Sequence, residues 1–141
     1  MTSAAQITKT LSANDVGNTG AHQAGILVPK ERGILSFFPS LNPKEKNPRV
    51  MLVFRERDGI TRWVFNFIYY NNRVFGGTRN EYRLTCMTKY LKVRNAGVGD
   101  LVILSKDSEG RLSVDLKREG MLETTQDDVL VLSGGWKVIR F

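Results

Sequence analysis

Two stretches of this chain carry side chains suited to holding or reading a polyanion. Residues 69–83, Tyr69-Tyr70-Asn71-Asn72-Arg73-Val74-Phe75-Gly76-Gly77-Thr78-Arg79-Asn80-Glu81-Tyr82-Arg83, gather three Arg, three Asn, three Tyr and a Gly-Gly pair. Arginine can take a guanine edge with two parallel hydrogen bonds, asparagine can do the same for adenine, and either Arg or Lys neutralises phosphate. Adjacent glycines let the backbone come close to a partner. A merely solvated face does not call for that mixture. The second stretch, Ser12-Ala13-Asn14-Asp15-Val16-Gly17-Asn18-Thr19-Gly20-Ala21-His22-Gln23, is long for a connection and dense in groups that both donate and accept hydrogen bonds. Long polar loops on a β scaffold are where function collects, the alternative being a plain irregular connection.

The acids in these stretches sharpen the reading. Phosphate repels a carboxylate, whereas the cytosine amino group donates to one, so Asp15 and Glu81 hint at base reading. The competing role for Glu81 is to pair with Arg79 or Arg83 and hold the loop's shape. His22 fits a packed loop position and a phosphate or base contact equally well.

Charge is distributed to match. The chain has 141 residues and a net charge of +7. Residues 1–48 contribute +2, residues 49–94 contribute +7 and residues 95–141 contribute −2. The excess therefore sits in the middle third, the footprint of a site for a polyanion rather than of general solubility.

Other chemistries are poorly supplied. One cysteine, Cys86, and one histidine, His22, leave no disulfide framework and no Cys- or His-rich metal cluster. Cys86, in Arg83-Leu84-Thr85-Cys86-Met87, is expected to be a small core residue. A metal-dependent nuclease needs paired carboxylates and a nearby lysine, which Asp100, Asp115 and Lys117 could offer on a short pattern. Gly97-Val98-Gly99 lacks the third glycine and following helix of a dinucleotide loop. A third possibility is a small RNA-binding barrel, with Tyr69, Tyr70 and Phe75 as stacking platforms. The polar start MTSAAQITKT is no signal peptide, and no apolar run approaches the ~18 residues of a membrane helix, so a soluble cytoplasmic chain is expected.

The elements that must position these stretches are mostly strands. Val50–Phe54 and Ile60–Phe65 flank Asp58-Gly59, a strong hairpin signal. Trp63, Phe65 and Phe67 alternate with Arg62, Val64, Asn66 and Ile68, which predicts one aromatic, buried face. A second hairpin joins Leu101–Leu104 to Leu112–Leu116, with Asp115 and Lys117 on its exposed side. A third joins Val129–Leu132 to Trp136–Ile139. An early strand covers about Ala5–Leu11, and short helices are expected near Lys30–Phe37 and Lys89–Arg94. About seven strands in one domain of this length predict a barrel or sandwich.

Three motifs in register carry a family resemblance. Leu11-Ser12-Ala13-Asn14-Asp15-Val16-Gly17 followed by Thr19-Gly20-Ala21-His22-Gln23-Ala24-Gly25 is one. Phe38-Pro39-Ser40-Leu41-Asn42 with Asn47-Pro48 is the second. Ile68-Tyr69-Tyr70-Asn71-Asn72-Arg73, then Phe75-Gly76 and Thr78-Arg79-Asn80-Glu81, is the third. Over residues 9–105 the chain resembles the N-terminal effector-binding domain of EcoRII-type restriction endonucleases. Tyr90-Leu91-Lys92-Val93 with Val98-Gly99-Asp100-Leu101-Val102 is similar to plant B3 DNA-binding domains, which share the fold. Residues after Gly120 match nothing in that pattern.

The resemblance implies a mainly β, seven-stranded open pseudobarrel of the B3 type, with residues 1–141 forming one domain. It would grip duplex DNA through two major-groove arms, about Lys9–Gln23 and Asn71–Arg83. Expected contacts are Lys9, Ser12, Asn14, Asp15, His22 and Gln23 on one arm. On the other they are Asn71, Asn72, Arg73, Thr78, Arg79, Asn80, Glu81 and Arg83. The implied role is non-catalytic recognition of a short pseudopalindromic site, of the CC(A/T)GG kind, for a type II restriction endonuclease of the prokaryotic cytoplasm. The implied partners are double-stranded DNA and a C-terminal nuclease domain of the same protein, with no membrane. No cofactor is implied for this domain, and Mg²⁺ for the nuclease domain if that is of the PD-(D/E)xK type. Relatives of this fold are also joined to phospholipase D-type nucleases. Basic residues in the family pattern stand where this chain has Thr10, Gly77 and Tyr82, so it offers fewer phosphate contacts.

Overall fold

The computed structural model describes residues 4–17, 25–119, 129–131 and 135–139. Chain order gives β1 (Ala5–Thr10), β2 (Ile26–Val28), α1 (Arg32–Leu35), β3 (Arg49–Arg55) and β4 (Arg62–Tyr70). A 3₁₀ turn (Asn72–Phe75) leads to β5 (Glu81–Thr85), α2 (Thr88–Val93), β6 (Leu101–Lys106) and β7 (Leu112–Lys117). Strands β8 (Val129–Val131) and β9 (Trp136–Ile139) complete the described chain.

Aspartates make both central hairpins. Asp58 Oδ1 accepts the N–H groups of Ile60 and Thr61, each at 2.8 Å, and turns β3 into β4. Asp107 Oδ1 accepts those of Glu109 and Arg111, each at 2.9 Å, and turns β6 into β7. A short side chain that accepts from N–H groups two to four residues on fixes a turn without help from the rest of the fold.

The strands form one curled sheet in the order β2-β5-β4-β3-β7-β6-β1-β9-β8. Neighbours are antiparallel except β3 and β7, which meet in parallel over Phe54↔Leu112 and Arg55↔Ser113. Period-2 alternation turns Phe54, Phe65, Phe67, Leu84, Ile7, Leu104 and Val114 inward, where α2 adds Tyr90 and Leu91. Trp136 of β9 is buried, and its Nε1–H donates to the carbonyl of Leu27 on edge strand β2 at 2.9 Å. That bond spans the open side of the curl.

The architecture is a single open, curled sheet of nine strands, two more than expected. The C-terminal hairpin β8–β9, outside the family resemblance, adds its strands onto β1. Both short helices lie where expected, though α1 is a single turn between Glu31 and Ser36. Cys86 is a correction: it is exposed at φ +67°, where the chain leaves β5 for α2, and Met87 takes the core position.

Candidate nucleic-acid interface

The loop between β1 and β2 is rooted by a buried charge pair. Ile7, Lys9 and Leu11 alternate inward, so Lys9 sits on the core side of β1 with its side chain only 9% exposed. Its Nζ lies 3.0 Å from Asp15 Oδ2 and donates to the Thr10 carbonyl at 2.8 Å. The Ser12 N–H donates to Asp15 Oδ2 at 2.9 Å, while the Asp15 N–H donates to Ser12 Oγ at 3.2 Å. This reciprocal pair coils residues 12–15 into a tight turn. Leu11 is buried and exchanges backbone bonds with Gly99 and Asp100 at the entry to β6. At the loop's far end Gly25 has φ +86°, and a Cβ there would come within 2.5 Å of the Leu84 carbonyl oxygen. Only glycine fits.

These contacts correct part of the expectation. Lys9, Ser12 and Asp15 spend their polar groups inside the loop root, so Lys9 is not an outward phosphate-binding cation. His22 and Gln23 lie outside the described residues.

The loop between β4 and β5, residues 71–80, is rooted by a neutral amide. Asn71 is fully buried. Its Oδ1 accepts the Asn47 N–H at 2.7 Å, and its Nδ2 donates to the carbonyls of Pro43 and Glu45 at 3.1 and 2.6 Å. Asn71 is therefore committed to segment 43–47 rather than open to a base. Asn72 is also turned inward: its carbonyl accepts from Gly77 N–H at 2.7 Å, and its Oδ1 is buried without a partner. A Cβ on Gly77 would lie 2.9 Å from Asn72 Cβ, so the compact loop requires glycine there. The Arg73 N–H donates to the Arg79 carbonyl at 3.0 Å and closes the loop.

Arg73, Val74, Phe75 and Thr78 are exposed at the tip, and the Arg73 side chain has no ion pair or hydrogen bond among the described residues. Behind the tip, the Arg79 guanidinium stacks 3.7 Å above the Tyr70 ring and donates through Nε to Glu81 Oε1 at 2.6 Å. Arg83 donates to Glu81 Oε2 at 3.3 Å and to the Gly25 carbonyl at 3.0 Å. Burial opposes the charge on Glu81, yet the two guanidiniums hold its carboxyl below the usual range. Of the two uses expected for Glu81, the geometry displays the shape-holding one.

Sequence reading missed a ring column behind this loop. Phe38, Phe67, Tyr82 and Tyr69 stack in succession, with centroids 4.4, 5.5 and 4.2 Å apart. Tyr69 then donates through its hydroxyl to Asn80 Oδ1 at 2.8 Å. The loop stands on a pillar continuous with the core. Tyr69 is thus stacked internally and Tyr70 is covered by Arg79, which leaves Phe75, at 44% exposure, as the open ring of the three stacking candidates.

The root of the β1–β2 loop faces a cleft of about 570 Å³, where Lys9, Ser12, Asn14 and Asp15 meet Leu27, Pro29, Arg83 and Trp136. Arg83, paired with Leu27 in the β2–β5 ladder, donates to the Gly25 carbonyl and ties β5 to the end of the β1–β2 loop.

Of the nuclease candidates, Asp100 is taken up by structural contacts. The Asp100 carboxylate accepts the N–H groups of Gly97 and Glu119 at 2.8 and 3.0 Å and pairs with Arg118 at 3.1 Å, which holds its pKa down. Asp115 and Lys117 lie on β7, where Asp115 accepts the Leu116 N–H. Among the described residues no three His, Cys, Asp or Glu side chains come together as a metal site. No described helix is long and apolar enough to cross a membrane.

Solved structures define the class. The complex titled "Arabidopsis FUS3-DNA complex" matches with a TM-score of 0.60 at 19% identity, over 79% of this chain and 94% of that one. The UbaLAI restriction endonuclease B3 domain, solved with cognate DNA, matches with a TM-score of 0.56 at 23% identity, over 97% and 87%. The fold is that of B3-type domains. The family model "Restriction endonuclease EcoRII, N-terminal" matches residues 1–118, and this chain belongs to that family. The type II restriction enzyme EcoRII of Escherichia coli is 35% identical over 132 residues, which take in 86% of this chain and 31% of that enzyme's length.

Proposed function

We propose that this chain binds duplex DNA sequence-specifically through its two loops, as the effector- or target-recognition part of a type II restriction endonuclease. The loops enter the major groove at a short, pseudopalindromic, C/G-rich site of the CC(A/T)GG kind. The observation that carries this reading is the row Arg79–Glu81–Arg83, fixed on one side by Tyr70 and joined on the other to the root of the opposite loop. Guanidiniums held in place before binding lose little freedom when they meet a base edge. Both B3 neighbours were solved with DNA, which supports the same partner here.

Within this reading Arg79 and Asn80 read bases, and Arg73 and Thr78 hold phosphates. Asn14, His22 and Gln23 read from the other loop. Lys9, Ser12, Asp15, Asn71 and Asn72 act as positioning residues, and Glu81 orients both arginines. Strand cleavage belongs to a separate C-terminal domain, with Mg²⁺ there if that domain is of the PD-(D/E)xK type, and the enzyme works in the prokaryotic cytoplasm.

Selection of bound duplexes from a random pool, followed by affinity measurements, tests the proposal. Arg79→Ala should cost about 1–3 kcal/mol on the selected site and much less on random DNA. An equal loss on both would make the loop a phosphate clamp and remove the site assignment. Cleavage by this chain alone with Mg²⁺, or preference for single-stranded RNA, would overturn the reading.

A further inference from the structure

The β3–β4 hairpin has an outer face that the loops do not use. Period-2 alternation puts Arg49, Met51, Val53 and Arg55 of β3 on that face, opposite Ile68, Asn66, Val64 and Arg62 of β4. All three arginines are exposed. Among the described residues Arg55 and Arg62 have no ion pair or hydrogen bond, and Arg49 has one long bond to the Asn47 carbonyl. Arg55 and Arg62 are direct cross-strand partners. Like charges directly opposite destabilise a ladder, and no carboxylate stands on this face of β3 or β4 to relieve them. The fold gains nothing from that arrangement.

The strip is continuous with the interface already described. Arg49, Ile68 and Arg83 form one cross-strand row, and Leu27 extends it onto β2. Arg49 therefore shares a sheet face with Arg83, two strands and about 10 Å away. Six residues along β3, at about 3.3 Å each, carry the line roughly 20 Å from Arg49 to Arg55. That reach matches about six phosphates of one DNA strand at 3.4 Å per step. Between the basic ends, Met51 at 72% exposure and Val53 and Val64 at 48% each offer a low apolar saddle against which sugar edges can lie.

We infer that this face is a phosphate track: Arg49, Arg55 and Arg62 follow the backbone of the same duplex beyond the base pairs that the loops contact. The inference rests on the DNA-binding reading and adds a sequence-independent grip outside the recognised site. Continuity with the Arg83 row favours nucleic acid over an acidic protein surface.

Fluorescence anisotropy of the 141-residue chain over a salt series tests it, using the selected site in duplexes of about 10 and about 24 base pairs. Arg55→Ala/Arg62→Ala should flatten the log–log salt slope on the long duplex by about 2 and weaken binding about tenfold at low salt. The short duplex should bind unchanged. Arg55→Lys/Arg62→Lys should retain the wild-type slope, which separates loss of charge from damage to the hairpin. A wild-type slope for the alanine variant on the long duplex overturns the inference. If the wild-type chain binds neither duplex, the DNA reading itself fails, a result distinct from the first.

Discussion

The two loops are anchored by opposite chemistry. The β1–β2 loop hangs on a buried lysine–carboxylate pair and contains no Lys or Arg between Lys9 and Lys30. The β4–β5 loop hangs on a buried neutral amide and carries its arginines on the outside. On the first side the lysine that precedes the loop is turned inward as a pin. The other presents cations. Under the proposed DNA-binding reading, phosphate attraction would come mainly from the β4–β5 side, and the β1–β2 loop would have little to offer a sequence with the wrong base edges.

That contrast can be broken at either root. The largest effect is expected for Lys9→Met, which strands the Asp15 carboxylate in a buried site and should cost about 3–4 kcal/mol in urea unfolding. Lys9→Met/Asp15→Asn should recover most of that loss, because a neutral amide oxygen still accepts the Ser12 N–H. No recovery would mean that the lysine stem, not the charge pair, matters.

Asn71→Ala should cost somewhat less, about 2–3 kcal/mol, since it leaves the Asn47 N–H and two carbonyls without their partner. Binding should weaken in parallel as the loop loses its tie to residues 43–47. A loss below about 1 kcal/mol would show that water replaces the amide without penalty.

Glu81→Gln probes the outer row. The lowered carboxyl pKa means that its contribution is complete above the ordinary value of 4.5 and disappears as pH falls through the lowered one. The stability difference between wild type and Glu81→Gln should be under about 1 kcal/mol, constant from neutral pH down to about 5, and absent at strong acidity. A difference that grew on acidification would reverse the assignment.

The smallest effect belongs to strand β7, which carries neither loop. Asp115→Ala and Lys117→Ala should each stay within about 0.5 kcal/mol in stability and leave DNA affinity unchanged. A drop in affinity comparable to that of Arg79→Ala would move the interface onto β7.

Much of this was legible because it is local. Asp58-Gly59 and Asp107 specify their turns within a few residues, and the alternation through Trp63, Phe65 and Phe67 names the inner face of β4 without reference to other strands. Lys9 was half legible: its parity with Ile7 and Leu11 points inward, but charge argued for the outside until Asp15 was seen to meet it. The role of Asn71 was not legible, since its partners lie 24–28 residues away and are backbone groups that no side-chain pattern announces. The Phe38–Phe67–Tyr82–Tyr69 column joins three separate segments, so no window along the chain contains it.

The placement of β1 bears on how the protein is made. This first strand pairs with β6 on one side and β9 on the other, and Trp136 of β9 bonds to Leu27, 109 residues earlier. During synthesis the β3–β4 hairpin can form as soon as it clears the ribosome, whereas β1 must wait for residues 101–106 and then 136–139. The turn at residues 12–15 is therefore translated well before the strands that hold β1 in place, and its root is complete only after them.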